Sequence, residues 1–405
     1  MLKIKNKIFA WSLYDFASQP FSTIIVTFIY SSFFTTYIVD DLELGTLLWT
    51  RVISISAIIA AILSPILGAI ADRNSSRKLM LIVTTYISII FIGLLYFPNK
   101  GDIMISLIFF AIANIAFELS TVFYNSFLLD LSFNKNSGRI SGNAWGFGFV
   151  GGLISLFICL SIFDVNQSSE IFKINLLVAA WFFIFSIPAF IFLKEKKTNK
   201  LNNTTTFKQL KSTFLNIREY KNIFKFFIAR LFYNDALITI FSLGGIYAIG
   251  SIGFEIKEVF ILGIFLNISA AIGSFIFGYV EDKIGSKKTI LITLYSLIFS
   301  TLLAFVSPYT NSPKIIFWIS AILLGIMVGP NQSTSRSLLS KIVPEDKKNE
   351  FFGFFALTGK ATSFVGPLLF GIVSANFSQQ FALWIVIFLF LLGTLYFRKI
   401  SFDEN

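Results

Sequence analysis

Apolar runs of roughly 18 or more residues recur along the whole chain, and this decides what the chain can fold into. Twelve can be drawn, at 8–38, 47–71, 79–97, 103–129, 141–163, 174–193, 222–250, 257–280, 288–307, 314–340, 351–374 and 379–398. Each is long enough to cross a hydrocarbon core of about 30 Å as a helix. A bilayer gives backbone N–H and C=O groups no water to bond, so such segments must satisfy themselves as helices. With 55% hydrophobic residues, 14% charged and 51 Phe, the chain has too much apolar surface for one water-soluble core. The expected fold class is an all-α polytopic membrane protein. The opening Met1-Leu-Lys-Ile-Lys-Asn-Lys7 imitates a signal peptide, but its apolar run has no small-residue cleavage site and is expected to stay as span 1.

The net charge of +11 does not point to nucleic acid, because the basic residues sit in alternate connectors rather than on one polar face. Of 33 Lys and Arg, 25 fall in the two tails and in the connectors after spans 2, 4, 6, 8 and 10 with their flanks. Five fall on the opposite side, and Arg230, Arg336 and Lys360 lie within spans. That asymmetry predicts both termini in the cytoplasm. The longest connector, 194–221, is polar and basic, so the expected organisation is an N-terminal six-helix bundle at 1–193, a cytoplasmic linker at 194–221 and a C-terminal six-helix bundle at 222–405. A short amphipathic helix over 207–217 and a solvated loop are both compatible with the linker.

The chain has no His, and its one Cys, Cys159, lies in an apolar run. Imidazole chemistry, an internal disulfide and a thiolate metal cluster are therefore excluded, and neither metal nor cofactor is expected. An intramembrane enzyme would need a nucleophile or a metal set that the sequence does not offer.

The chain also repeats itself. Gly68-Ala-Ile-Ala-Asp72-Arg73-Asn-Ser-Ser76-Arg77-Lys78 returns as Gly278-Tyr-Val-Glu-Asp282-Lys283-Ile-Gly-Ser286-Lys287-Lys288, 210 residues later. A fixed offset near half the length marks an internal duplication, so the two bundles should be pseudo-symmetric.

Polar residues inside spans are costly and need a reason. Ser12, Asp15, Gln19 and Ser22 share one face of span 1, and Asn114, Glu118, Thr121 and Asn125 one face of span 4. Asp235, Thr239 and Ser242 in span 7, beside Arg230 and Asn234, and Gln332, Arg336 and Ser340 in span 10 do the same. Spans 1, 4, 7 and 10 each open a three-helix unit, and equivalent units would bring these faces to one wet axis. The expected substrate or proton pathway is Asp15, Gln19, Glu118, Asn125, Asn234, Asp235, Gln332, Arg336 and Lys360. For the Ser, Thr and Asn residues, helix-joining hydrogen bonds are the competing explanation. Arg230 and Arg336 lie nearer the interface, where a long side chain can snorkel. The loop residues Asp72, Arg73, Arg77, Asp282, Lys283 and Lys287 are the expected cytoplasmic gate.

The duplicated Gly-x-x-x-Asp-Arg/Lys-x-x-x-Arg/Lys-Lys loop resembles the signature loop of the major facilitator superfamily. Trp11-Ser-Leu-Tyr14-Asp15-Phe16-Ala17, Phe123-Tyr124-Asn125 and Tyr233-Asn234-Asp235 resemble its vacuole-effluxer-like, amino-acid effluxer branch. So do Ser335-Arg336-Ser337, Glu350-Phe351-Phe352-Gly353-Phe354, Gly359-Lys360 and Gly366-Pro367. Two departures stand out: Asn74-Ser75 where the first loop often turns on glycine, and a carboxylate, Glu118, at a place where that branch would carry an uncharged polar residue.

The resemblance implies the major facilitator fold and an alternating-access secondary transporter for amino acids or similar small metabolites; separately, the carboxylates Glu118, Asp15 and Asp235 inside the spans make a proton the candidate coupling ion. The expected partners are a small-molecule substrate, protons and the lipid bilayer, with no nucleic acid and a monomeric protein. A multidrug/proton antiporter is the alternative within transport, and a non-transporting membrane sensor the alternative outside it. An aromatic, uncharged cavity would favour drugs, and Arg336 and Lys360 facing it would favour carboxylates. Residue usage rich in Ile, Lys, Asn and Phe, with compact loops, points to a bacterial inner membrane.

Overall fold

The computed structural model describes residues 2–132, 136–164, 167–195, 213 and 219–401. The helix proposed over 207–217 falls largely outside them. Among the described residues, twelve helical spans are long and apolar enough to cross a membrane: Ile4–Ile38, Leu42–Asn74, Arg77–Leu94, Ile103–Leu131, Ser137–Ile162, Glu170–Phe192, Lys221–Ile252, Lys257–Ile284, Ser286–Tyr309, Pro313–Ile342, Glu345–Asn376 and Gln379–Arg398. These are numbered here as spans 1 to 12.

The helices start where local chemistry supplies an acceptor for orphan N–H groups. Asp41, in extended backbone, accepts from Glu43 and Leu44 N–H at 3.0 Å and opens the 33-residue helix Leu42–Asn74. Glu255 and Glu258 form a capping box before span 8, and Ser378 caps span 12 through Phe381 N–H at 3.2 Å. Span 2 shows how the faces sort. Ile55, Ile58, Ile59, Ile62 and Ile66 are exposed along one stripe, while Ser56, Ala60, Ala61, Ser64 and Gly68 are buried on the other. Large apolar groups face outward and small or polar ones inward, the arrangement suited to a lipid surround.

Several continuous runs of the sequence are interrupted helices in the structure, most clearly spans 1 and 11. Span 1 passes into π-helical turns at Phe21–Phe28 and Phe34–Ile38. Span 11, expected as an unbroken helix over 351–374, is two half-helices, Lys348–Lys360 and Val365–Asn376, with Ala361 to Phe364 as turns between them.

The chain forms two compact units. The first holds Met1–Leu131, Phe147–Leu210 and Pro344–Ala356; the second holds Ser132–Gly146, Lys211–Val343 and Leu357–Asn405. Each unit thus contains a segment from the other half of the sequence. The duplication is visible in the packing. Spans 1 with 6, 2 with 4, 3 with 4 and 3 with 6 pack in the first unit, and spans 7 with 12, 8 with 10, 9 with 10 and 9 with 12 in the second.

The two copies of the loop turn differently. Ser75 adopts left-handed backbone at φ 48, ψ 45, and its counterpart Gly285 lies at φ 88, ψ 156, a region open essentially to glycine alone. Gly285→Ala is therefore expected to cost about 1–3 kcal/mol. A thermal-unfolding midpoint equal to that of the wild type would contradict it.

Candidate substrate and gate sites

In the second unit, the break in span 11 is flanked by polar residues of span 7. Asp235 is 2% exposed, and its Oδ2 accepts the N–H of Gly366 at 3.0 Å, in the first turn of the half-helix Val365–Asn376. A carboxylate at a helix N-terminus meets unpaired N–H groups and the positive end of the dipole. Asp235 Oδ1 is buried with no hydrogen-bond partner among the described residues. A buried carboxylate oxygen left open is a place for a proton or a cationic group.

At the other edge of the break, Asn234 Nδ2 donates to Gly359 O at 3.0 Å, and Gln332 Nε2 donates to Asn234 Oδ1 at 3.1 Å. Arg230 Nη1 donates to Thr358 Oγ1 at 3.1 Å. Positive charge at a helix C-terminus complements the negative end of the dipole. Lys360, the last residue of that half-helix, is half-buried. Span 7 therefore places a cation and a carboxylate, five residues apart, at opposite edges of one gap. Tyr233 Oη and Ser335 Oγ, 2.8 Å apart, tie span 7 to span 10 beside it.

Four of the expected pathway residues, Asn234, Asp235, Gln332 and Lys360, thus border this break. Arg336 has a different setting. Its Nε and Nη2 donate to Ser141 Oγ and O, each at 2.9 Å, and its guanidinium lies 5.7 Å from the Trp145 ring. Neither arginine snorkels: Arg230 is 5% exposed and Arg336 3%, each drawn inward by hydrogen bonds.

In the first unit, Trp11 and Tyr14 stack on Tyr124 with ring centroids 4.7 and 4.6 Å apart, and Trp11 Nε1 donates to Tyr124 O at 2.9 Å. The sequence blocks of spans 1 and 4 are therefore an aromatic joint. Asp15 and Gln19 lie half-buried on the face of span 1 that packs on Gly148 and Gly152 of span 5. Glu118 and Asn125 are half-buried on span 4. Asn114 belongs to the helix-joining class: it is buried and donates to Ser56 Oγ of span 2 at 2.7 Å.

The loop aspartates have reciprocal partners. Asp72 accepts from Asn349 N–H at 3.1 Å, Asn349 Nδ2 at 2.6 Å and Glu350 N–H at 2.8 Å, at the start of the half-helix Lys348–Lys360. Asp282 accepts from Arg139 N–H at 3.2 Å, at the start of span 5. Residues 349 and 139 are themselves 210 apart, so the duplication holds for both ends of each contact. Glycine one turn before each aspartate permits the approach. A Cβ at Gly68 would lie 2.7 Å from Asn349 C, and one at Gly278 would lie 3.0 Å from Gly138 O.

Arg77 is fully buried, lies 3.7 Å from the Phe127 ring centroid, donates to Ser126 O at 3.0 Å and pairs with Asp130. Lys348 binds the same carboxylate at 2.8 Å. In the second unit, Lys341 pairs with the buried Glu281 at 3.1 Å. Lys287 donates to Ile400 O at 2.6 Å, Arg73 is half-buried and Lys283 is exposed. Glu195 gave no signal in the sequence. Its carboxylate accepts from Arg77 N–H at 2.9 Å and Lys78 N–H at 3.1 Å, capping span 3. Only the duplication, by marking that helix start as important, could have prompted a search for its acceptor.

Residues 48–404 match the family model described as vacuole effluxer Atg22 like. An uncharacterized MFS-type transporter, YxiO of Bacillus subtilis, is 28% identical over 402 residues, covering 95% of this chain and 92% of the relative. Autophagy-related protein 22 of Pichia angusta is 25% identical over 382 residues, covering 79% of this chain and 68% of the relative. The chain spans only 45% of the corresponding Aspergillus fumigatus protein, at 24% identity over 273 residues and 60% of this chain. Among solved structures, the MFS transporter FucP in its outward conformation superposes with TM-score 0.80 at 13% identity, over 100% of this chain and 99% of that one. The proton:xylose symporter XylE superposes with TM-score 0.78 at 14% identity, over 98% and 96%.

Proposed function

The chain belongs to the vacuole effluxer Atg22-like family of major facilitator superfamily transporters, and we propose that its cargo is a small zwitterion of the amino-acid class. One observation carries the reading. The break in span 11 has Arg230 and Lys360 at one edge and the open Oδ1 of Asp235 at the other. Discontinuous membrane helices expose helix ends to ligands, and here each end already faces side chains of complementary charge. A carboxylate and an ammonium on one small molecule match such a pair. A hydrophobic drug would offer neither edge of the break a charge to meet.

The proposed cycle is alternating access coupled to a proton, with Asp15, Glu118 and Asp235 as the candidate acidic carriers. Asp72 and Asp282, each capping the first turn of a helix, form the gate of the basic end. By the excess of Lys and Arg, that end and both termini face the cytoplasm, in an inner membrane if the source is bacterial. Each opening of the gate releases the hydrogen bonds to residues 349, 350 and 139.

The test is counterflow in proteoliposomes preloaded in turn with single amino acids, small organic acids and cationic dyes. Exchange of at least one amino acid, saturable and sensitive to an imposed pH gradient, is expected. Exchange of dyes alone would replace this reading with the multidrug one. Glu118→Gln is expected to abolish the response to the pH gradient. A variant with unchanged gradient dependence would remove Glu118 as the proton carrier.

A further inference from the structure

A groove of about 470 Å³ opens at the start of span 9, lined by Lys283, Ile284, Lys288, Leu291, Ile292 and Tyr295. Lys283 and Lys288 are both exposed, and neither is in an ion pair among the described residues. Below them one helical face continues outward. Lys288, Ile292, Tyr295 and Phe299 step by four, three and four residues, and the last three are 40%, 50% and 55% exposed. From Lys288 to Phe299 the helix rises about 16 Å, half of a hydrocarbon core of about 30 Å. Two exposed cations, without an ion pair among the described residues, therefore stand above an apolar track the depth of one leaflet.

The first copy of the repeat has a different surround. There the carboxylate of Glu195 holds the N–H groups of Arg77 and Lys78, the counterparts of Lys287 and Lys288. Thr85 and Ile89, the counterparts of Tyr295 and Phe299, are buried. The face that the first copy buries at these positions is thus exposed in the second.

The geometry points to a bound anionic phospholipid, its phosphate between Lys283 and Lys288 and one acyl chain along Ile292, Tyr295 and Phe299. Charge complementarity selects an acidic headgroup over a zwitterionic one. This site is separate from the break in span 11, so it stands whatever the cargo.

Native mass spectrometry of the full chain, exposed to phosphatidylglycerol or phosphatidylcholine with identical acyl chains, reads the occupancy. The wild type is expected to retain phosphatidylglycerol selectively. The double variant Lys283→Gln/Lys288→Gln should lose retention by about tenfold or more. The control Lys100→Gln/Lys257→Gln, on connectors of the opposite end, should match the wild type. Equal retention of the two lipids, or retention unchanged in the double variant, overturns the proposal. Displacement by millimolar inorganic phosphate would make it a simple anion site and also overturns it. So does lipid retention that emerges only when Asp403 and Glu404 are neutralised, which would make the chain's own tail the occupant.

Discussion

Asp235→Asn is expected to lower amino-acid counterflow by about a hundredfold while leaving the folded yield close to that of the wild type. The two halves of that expectation have separate causes. An amide oxygen in place of Oδ2 can still accept the Gly366 N–H at 3.0 Å, so the half-helix Val365–Asn376 keeps its cap. What disappears is the charge at Oδ1, which is buried and without a hydrogen-bond partner among the described residues. A hydrogen bond to a charged group is worth about 1.5–3 kcal/mol, and about 2.7 kcal/mol in a barrier is a factor of a hundred. Asp235→Leu removes charge and acceptor together. It leaves a buried N–H unpaired and should also lower thermal stability by about 1–3 kcal/mol. Counterflow and thermal unfolding on both variants separate the roles: an Asn variant transporting at the normal rate would reduce Asp235 to a helix cap.

The spans were legible because a bilayer demands long apolar runs, and the repeat was legible because its loop kept glycine, aspartate and basic residues in register over 210 positions. The break in span 11 was not. Ala361-Thr-Ser-Phe364 carries no breaker of its own and is apolar enough to pass for helix. The signal lay at its edges, in Gly359 and Gly366-Pro367, read only as part of a family block. Pro367 falls in the first turn of the second half-helix, where a missing N–H costs nothing, so it marks a start rather than a kink. Burial of Arg230 and Arg336 was equally hidden. Whether a long cation reaches water or turns inward depends on Thr358 and Ser141, both distant in sequence. The acceptors Asp130 and Glu195 were hidden for the same reason: helical periodicity says which residues share a face, not which distant carboxylate meets it.

Gly68→Ala tests the gate directly, and is expected to slow transport about tenfold or more without preventing membrane insertion. The added methyl would lie 2.7 Å from Asn349 C and 3.0 Å from Glu350 N, all backbone, so no side chain can swing aside. Relief requires the half-helix Lys348–Lys360 to withdraw by roughly an ångström, because carbon contacts are favourable only near 3.5–4.0 Å. Such a shift stretches the bonds of 3.1, 2.6 and 2.8 Å that Asp72 receives from Asn349 and Glu350. Asp72→Asn should be milder, since its single carbonyl oxygen still serves part of the same set of donors. Gly278→Ala should be milder again: its methyl meets Gly138 O at 3.0 Å and Gly142 Cα at 3.2 Å, so a few tenths of an ångström suffice. The expected order of transport loss is therefore Gly68→Ala, then Asp72→Asn, then Gly278→Ala, each read in proteoliposomes against the amount of inserted protein. Equal rates for all three would show that these helix starts stay joined throughout the cycle, and the gate would have to be sought elsewhere.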